Sequence, residues 1–274
     1  MDENKIKTYA MELFNAERSH RAIQQITGRE PLFDVDCAYA VQMVNVKKAM
    51  GMGNVVSGKK IGLTSLAMQR QLGVGEPDFG HLFSAMDCPD GVVRSAELIQ
   101  PKIEAELAFV LKKDLRGGGL GPADVFKATD YIVAAFEIVD SRIAGWRIAL
   151  ADTVADNASS GRYILSGEKI ETAGADLPDI KMELFKLDAP GAGFIKIGEG
   201  TGADVMGDPA ASVAWLANRL NDYGAALRAG EVILSGALCA APAAKKGDVF
   251  RAEFSFGRNT GDGARVWRVE AKFI

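Results

Sequence analysis

Apolar and polar positions along the chain divide it into two parts. Up to about residue 54 the apolar positions recur at helical spacing: Ile6, Tyr9 and Leu13 in one stretch, Cys37, Val41 and Val44 in a second. The second follows Asp34, a side chain suited to accept from the free N–H groups of a helix start. From Val55 the pattern changes to short apolar runs and alternation, the signature of strands. Residues 55–63 read as a strand in which Lys59 and Lys60 face opposite sides, so that one can be solvated while the other points inward. Strands are also expected at 103–111 and 131–139. At the C-terminus Phe250, Ala252, Phe254 and Phe256 alternate, then Trp267, Val269, Ala271 and Phe273, on either side of a turn at 257–263. Residues 75–80 and the glycine-rich 116–122 read as loops, and Asp208-Pro209 opens a helix carried by Val213, Leu216, Ala217 and Leu220. No repeat or linker divides the chain, so 1–274 is expected to form a single α+β domain, with a helical subregion over 1–54 and a β-rich body over 55–274.

Within 101–111 every neighbour of Glu104 and Glu106 is apolar except Lys102. On a strand these two carboxylates share a face, with Cβ atoms roughly 7 Å apart, close enough to converge on one cation. On a helix they would diverge by about 200° and simply be solvated. Glu137 adds a third carboxylate as the one charge in the apolar run 131–139. A buried carboxylate takes a proton, pairs with a base or binds a metal. Three carboxylates with no thiolate or imidazole near them in sequence suit a hard divalent cation such as Mg2+ or Mn2+, while an ion pair from Glu137 to Arg142 or Arg162 is the plainer alternative.

Composition narrows the rest. With 274 residues the chain is long enough for a large core, and 48% apolar with 25% charged residues is ordinary for a globular protein. A net charge of −4, and no Lys/Arg-rich run interleaved with aromatics, argue against a nucleic-acid surface. The N-terminal residues lack a signal-peptide pattern and no apolar run has the length of a membrane span, so a soluble cytoplasmic protein without membrane contact is expected. Cys37, Cys88 and Cys239 form no CxxC or disulfide framework and read as buried thiols. With only His20 and His81, a histidine-rich metal site or a Ser-His-Asp triad is hard to build, so acid–base work falls to Lys, Asp or Glu. His20 reads as surface, and His81 as a packed or hydrogen-bonded residue rather than a catalytic one. The glycine-rich stretches match neither a P-loop nor a dinucleotide fingerprint, and Ser235 lacks the upstream half of G-x-S-x-G.

The carboxylates, taken with Lys60-Ile-Gly-Leu-Thr64, Gly75-Glu-Pro-Asp-Phe-Gly80, Asp152-Thr-Val-Ala-Asp-Asn-Ala-Ser-Ser160, Val213-Ala-Trp-Leu-Ala-Asn218 and Ile233-Leu-Ser-Gly-Ala237, give the chain a family resemblance. From about Asp34 to Phe273 it resembles the 2-hydroxypenta-2,4-dienoate (2-keto-4-pentenoate) hydratases and the related 4-oxalocrotonate decarboxylases of the fumarylacetoacetate hydrolase superfamily. The resemblance implies a mixed β-sandwich-like or barrel-like body, Mg2+ or Mn2+, and hydration of 2-hydroxypenta-2,4-dienoate to 4-hydroxy-2-oxopentanoate in meta-cleavage catabolism of aromatic compounds. Decarboxylation of 2-oxohex-3-enedioate is the alternative reaction, and a non-catalytic metal-binding subunit of a pathway complex is a third reading. By the same resemblance the metal carboxylates fall on Glu104, Glu106 and Glu137, the active-site lysine on Lys60 and an acid on Asp78, with Asp156, Ser159 and Ser160 near the substrate. Relatives often have Gly-His-Pro where this chain has Gly207-Asp208-Pro209, a change expected to be structural because Asp also caps a helix. A homo-oligomer is implied, and a complex with another pathway enzyme is compatible.

Overall fold

The computed structural model describes residues 1–65, 69, 74–172, 175–189, 191–256 and 265–274; the turn expected at 257–263 lies outside them. Helices α1 (Glu3–Ser19) and α2 (Val35–Gly51) come first. Asp2 and Asp34 cap them, accepting from Lys5 N and Cys37 N at 2.8 Å, which satisfies donors that a first turn leaves open. α1 buries Ile6, Tyr9 and Leu13, as their spacing implies. On α2 the buried stripe is Ala38, Tyr39, Val41, Gln42 and Val46, whereas Cys37 and Val44 are half-buried. The polar member explains the shift: the Gln42 amide donates to the carbonyls of Phe79 at 3.1 Å and Val154 at 2.8 Å, and a count of apolar residues misses a buried glutamine.

The body follows as β1 (Val56–Gly62), β2 (Asp78–Phe83), β3 (Val92–Val93), β4 (Pro101–Leu111), α3 (Pro122–Ala128), β5 (Thr129–Asp140), α4 (Leu150–Ala155) and β6 (Ser160–Ile170). Then come β7 (Ile180–Leu187), β8 (Phe194–Thr201), α5 (Pro209–Asp222), β9 (Val232–Leu234), β10 (Val249–Phe256) and β11 (Trp267–Phe273). The predicted strands are all present with ends moved by a residue or two, and Asp208 caps α5 by accepting from Ala210 N at 2.8 Å. Strands β6 to β9 go beyond the prediction, although Ile180, Met182 and Leu184 alternate inward on β7. The segment 75–80 is only partly a loop: Asp78, Phe79 and Gly80 begin β2, paired with Gly62, Ile61 and Lys60 of β1. Pairing with a distant strand overrides the local turn preference of Gly and Pro.

Six strands form one mixed sheet in the order β2-β1-β9-β4-β5-β6, and five form a second in the order β3-β11-β10-β7-β8. One face of the first sheet, carrying Ile61, Ile103, Leu107, Phe109, Ile132 and Phe136, joins Phe250, Phe254, Val269 and Phe273 of the second in the main core. Each such fully buried side chain contributes about 1.5–3 kcal/mol relative to exposure. The first sheet also rolls up, so that its edges meet: Cys88 N donates to Tyr163 O at 2.9 Å, and Ser57 Oγ lies 3.1 Å from the Tyr163 hydroxyl. The enclosed face holds a smaller apolar cluster with Leu82, Ala108, Val133, Ala135, Tyr163 and Leu234. Lys60 stands opposite Leu234, and Glu104 and Glu106 follow Ala108 on the same side of β4, so the charged residues share this enclosed face. No helix among the described residues is long and apolar enough to cross a membrane.

Candidate metal centre and active site

β4 is a strand through Pro101–Leu111, so Glu104 and Glu106 share a face, and antiparallel pairing sets Glu137 of β5 directly opposite Glu104. One carboxylate oxygen from each of the three lies within 4.8 Å of the others. Glu106 and Glu137 are fully buried, while Glu104 is half-buried at the open end of the rolled sheet. The backbone N–H of Gly236 donates to Glu106 Oε2 at 2.8 Å; Glu106 Oε1 and both oxygens of Glu137 have no hydrogen-bond partner. Orphaned oxygens on buried carboxylates are costly, and converging hard oxygen donors are what a divalent cation takes. The residues therefore fit such an ion.

Lys60, from the second strand away on the same face, reaches Glu137 Oε1 at 3.5 Å. Arg142 and Arg162 do not pair with Glu137; they bind Asp156 and Glu97. Burial pushes the Glu137 carboxyl up to about 7, with Lys60 pulling the other way. Burial, then the charges of Glu137 and Glu104, hold Glu106 well above the usual carboxylate range. Burial alone would lower Lys60, but Glu137, Asp78, Glu104 and Glu106 together hold it above its ordinary value. It is therefore a buried cation and a hydrogen-bond donor, not a free amine base. Lys59 is not solvated: on the other face it pairs with Glu231 at 2.7 Å, and both are largely buried, because β1 is an interior strand covered on both sides.

Asp78 opens β2 and is 2% exposed, with Oδ1 lacking a hydrogen-bond partner. Burial raises its carboxyl and Lys60 opposes that. Its place depends on Gly62: a Cβ there would lie 2.2 Å from Asp78 Oδ1 and 3.3 Å from Lys60 Nζ. The neighbouring turn is strained, since Asn157, Ala158 and Ser159 have φ of 55°, 50° and 57°, a left-handed run of non-glycine residues that only surrounding bonds can hold. Those bonds are visible. Asn157 accepts from His81 N at 2.8 Å and donates to His81 O at 2.9 Å, clamping β2. Gly80 permits the approach, because a Cβ would lie 2.3 Å from Asn157 O.

The three residues expected near the substrate separate. Ser159 Oγ lies 3.4 Å from Thr153 Oγ1, close to the Asp78 side. Ser160 Oγ donates to Asn157 O at 2.9 Å and packs where a Gly80 Cβ would be. Asp156 instead has its carboxylate taken up by Arg142, through Nε at 2.5 Å and backbone N at 2.9 Å, and by Ser141 Oγ at 3.3 Å. A buried cation needs its counter-charge, so Asp156 serves the fold here; burial still pushes it up to about 6 against the pull of Arg142. His81 is packed, with Nδ1 3.1 Å from Gln42 Oε1, and burial lowers it to about 4. The three thiols are free and half-buried rather than fully buried. Gly62, Thr153, Asn157 and Gly236 lie within the motifs quoted from the sequence but carried no role there; only the packing around Asp78, His81 and Glu106 gives them one. A cleft of about 380 Å³ opens elsewhere, lined by Phe14, Val46, Met52 and Met86 and also by Asp156 and Ser160. It contains none of Glu104, Glu106, Glu137, Lys60 and Asp78.

Comparison with known proteins bears on this arrangement. The pattern of the fumarylacetoacetate (FAA) hydrolase C-terminal family matches residues 76–264. A 2-hydroxyhexa-2,4-dienoate hydratase of Comamonas testosteroni is 42% identical over 252 residues, 91% of this chain and 93% of its own length. A 2-keto-4-pentenoate hydratase of Paraburkholderia xenovorans is 45% identical over 242 residues, 88% of each chain. The structure of 4-oxalocrotonate decarboxylase from Pseudomonas putida G7, complexed with magnesium and adipate, superposes with a TM-score of 0.90 at 34% identity, over 100% of this chain and 99% of that one.

Proposed function

The chain belongs to the fumarylacetoacetate hydrolase family, and from that footing we propose that it is a hydro-lyase adding water to 2-hydroxypenta-2,4-dienoate to give 4-hydroxy-2-oxopentanoate, in the breakdown of aromatic compounds. The observation that carries the reading is the convergence of Glu104, Glu106 and Glu137 within 4.8 Å, with Lys60 3.5 Å from Glu137. These three carboxylates would hold Mg2+ or Mn2+. When bound, such an ion supplies Lewis acidity and a template for the carboxylate and 2-oxygen of the substrate.

The remaining work falls to the chain. Lys60, kept charged by its acidic neighbours, donates to oxygen where negative charge develops. Asp78, with Oδ1 unpartnered and its carboxyl raised by burial against the pull of Lys60, relays a proton to carbon. The 2-hydroxyl loses a proton as C5 gains one, water adds at C4 and loses a proton, and C3 gains a proton. No covalent nucleophile is needed. Ser159, beside the Thr153 hydroxyl that reaches Asp78, can orient the water, whereas the Ser160 hydroxyl donates to Asn157 O. The rolled sheet closes the inner end with Ala108, Ala135 and Leu234, which excludes bulk water there.

Decarboxylation of 2-oxohex-3-enedioate is the second reading, favoured by the full-length likeness to the decarboxylase structure. Incubation of the purified protein with each substrate, with Mg2+ and then with EDTA, separates them. Metal-dependent 4-hydroxy-2-oxopentanoate is the expected product. Its absence would falsify the hydratase reading, and carbon dioxide from the dicarboxylate would establish the second.

A further inference from the structure

We propose that the outward face of α2, with Leu32 ahead of it, pairs with the same face of a second copy of this chain, the two helices running antiparallel about a two-fold axis. The inference is independent of the reaction assigned above. It starts from an anomaly in α2. The helix buries Ala38, Tyr39, Val41 and Val46 against α1 and α4, yet its solvent-facing stripe is Asp36, Ala40, Met43, Lys47 and Met50. A helix that only covers a core is polar on its outer side, as α1 is with Lys7, Thr8, Asn15 and Arg18. On α2 the outer stripe is apolar at Ala40, Met43 and Met50. A helix that is apolar on both sides is one that an assembly buries.

The arrangement of the stripe says what covers it. Its residues follow one another at steps of four, three, four and three, which keeps them in one line along the helix, the spacing by which two helices pack side by side. The line is self-complementary. The step from Asp36 to Ala40 equals the step from Met43 to Lys47, so a two-fold axis between Ala40 and Met43 carries each residue onto its complement. Asp36 then meets Lys47 of the partner subunit, and Ala40 meets Met43 of the partner subunit. Neither Asp36 nor Lys47 forms an ion pair with another described residue, so both charges are available. Parallel pairing would instead set Asp36 against its own copy and Lys47 against its own copy, and like charges across a contact are repelled.

The ends agree with the same orientation. α2 has 17 residues and so is about 25 Å long. In an antiparallel pair, Met50 near the end of one helix lies beside the start of the other, where Leu32 precedes the N-cap Asp34. Leu32 is 76% exposed and Met50 is 53% exposed. Each gives the other an apolar surface to cover.

Analytical ultracentrifugation of the full chain from about 1 to about 100 µM tests the pairing, because a contact of one helix and its leading residue per copy falls in the small, reversible class. The wild type is expected to have twice the mass of its Met43→Glu variant, in which two carboxylates stand near the axis. Asp36→Lys and Lys47→Asp, made singly, each set like charges across the contact and are expected to weaken it at least about tenfold. Combined in one chain they restore opposite charges and are expected to bring the affinity back to within about threefold of the wild type. Circular dichroism reports that each variant keeps its fold, as substitution of exposed side chains predicts. A wild type that stays monomeric throughout, a Met43→Glu variant of unchanged mass, or single reversals that the double variant does not rescue, each overturns the proposal; the first would leave the face to a partner of different sequence.

Discussion

Alanine at position 62 asks whether Asp78 must sit where the structure puts it. The new Cβ would stand 2.2 Å from Asp78 Oδ1 and 3.3 Å from Lys60 Nζ. Ordinary contact requires more than 3 Å, so the carboxylate must retreat by about 1 Å or rotate away, and a displacement of that size at reacting groups costs roughly a hundredfold in rate. That corresponds to about 2.7 kcal/mol in the barrier. The backbone itself tolerates the change, since Gly62 lies within β1 and is not among the positive-φ glycines. Removing glycine also lowers the entropy of the unfolded chain, which favours folding by about 0.4–1 kcal/mol. The assay is loss of dienoate absorbance, with Asp78→Asn as the reference for complete loss of the group. Circular dichroism and Mg2+ titration establish that fold and metal affinity persist. A folded Gly62→Ala protein with kcat/KM within threefold of wild type would refute the placement of Asp78 in the reaction.

Lys60→Met removes the cation nearest Glu137 and is expected to cut turnover at least about a hundredfold, while Mg2+ affinity measured by calorimetry holds or rises because a competing charge is gone; loss of metal binding would contradict the role. Asp156→Ala leaves Arg142 buried without its counter-charge and should cost about 3–5 kcal/mol in urea unfolding. A loss below about 1 kcal/mol would show that water replaces the partner. The folded His81 ring titrates near about 4 against an ordinary 6.5, so between those values the unfolded chain binds more protons. Stability present above pH 6.5 is therefore lost as pH falls, by about 2 kcal/mol from this group between pH 7 and 5. Comparison of wild type with His81→Asn at both pH values isolates that contribution, and equal pH dependence in the two would reject it.

Much of this site was legible in the sequence for a simple reason. Two glutamates at i and i+2 in an apolar run can share a buried face only on a strand, and a third in a second apolar run asks for the same solution. The helix starts at Asp34 and Asp208 were equally readable, because capping is a local interaction. Less local features were hidden. Asp78 reads as a turn residue after Pro77, yet its pairing with Gly62 makes it the first residue of a buried strand. Asp156 sits in a motif tied to substrate, yet Arg142 occupies its carboxylate.

Sequence alone thus pointed to the N-terminal helices, five of the strands and a cluster of acids suited to a cation, since periodicity and residue type act over a few neighbours. Only the tertiary structure decided which cation answers which acid. Strand order sets Lys60 rather than Arg142 beside Glu137, sends Lys59 to Glu231 and leaves Lys102 over an aromatic ring. Those pairings join residues far apart in the chain, and in a buried site charge is governed by what lies across the sheet rather than by what lies next in sequence.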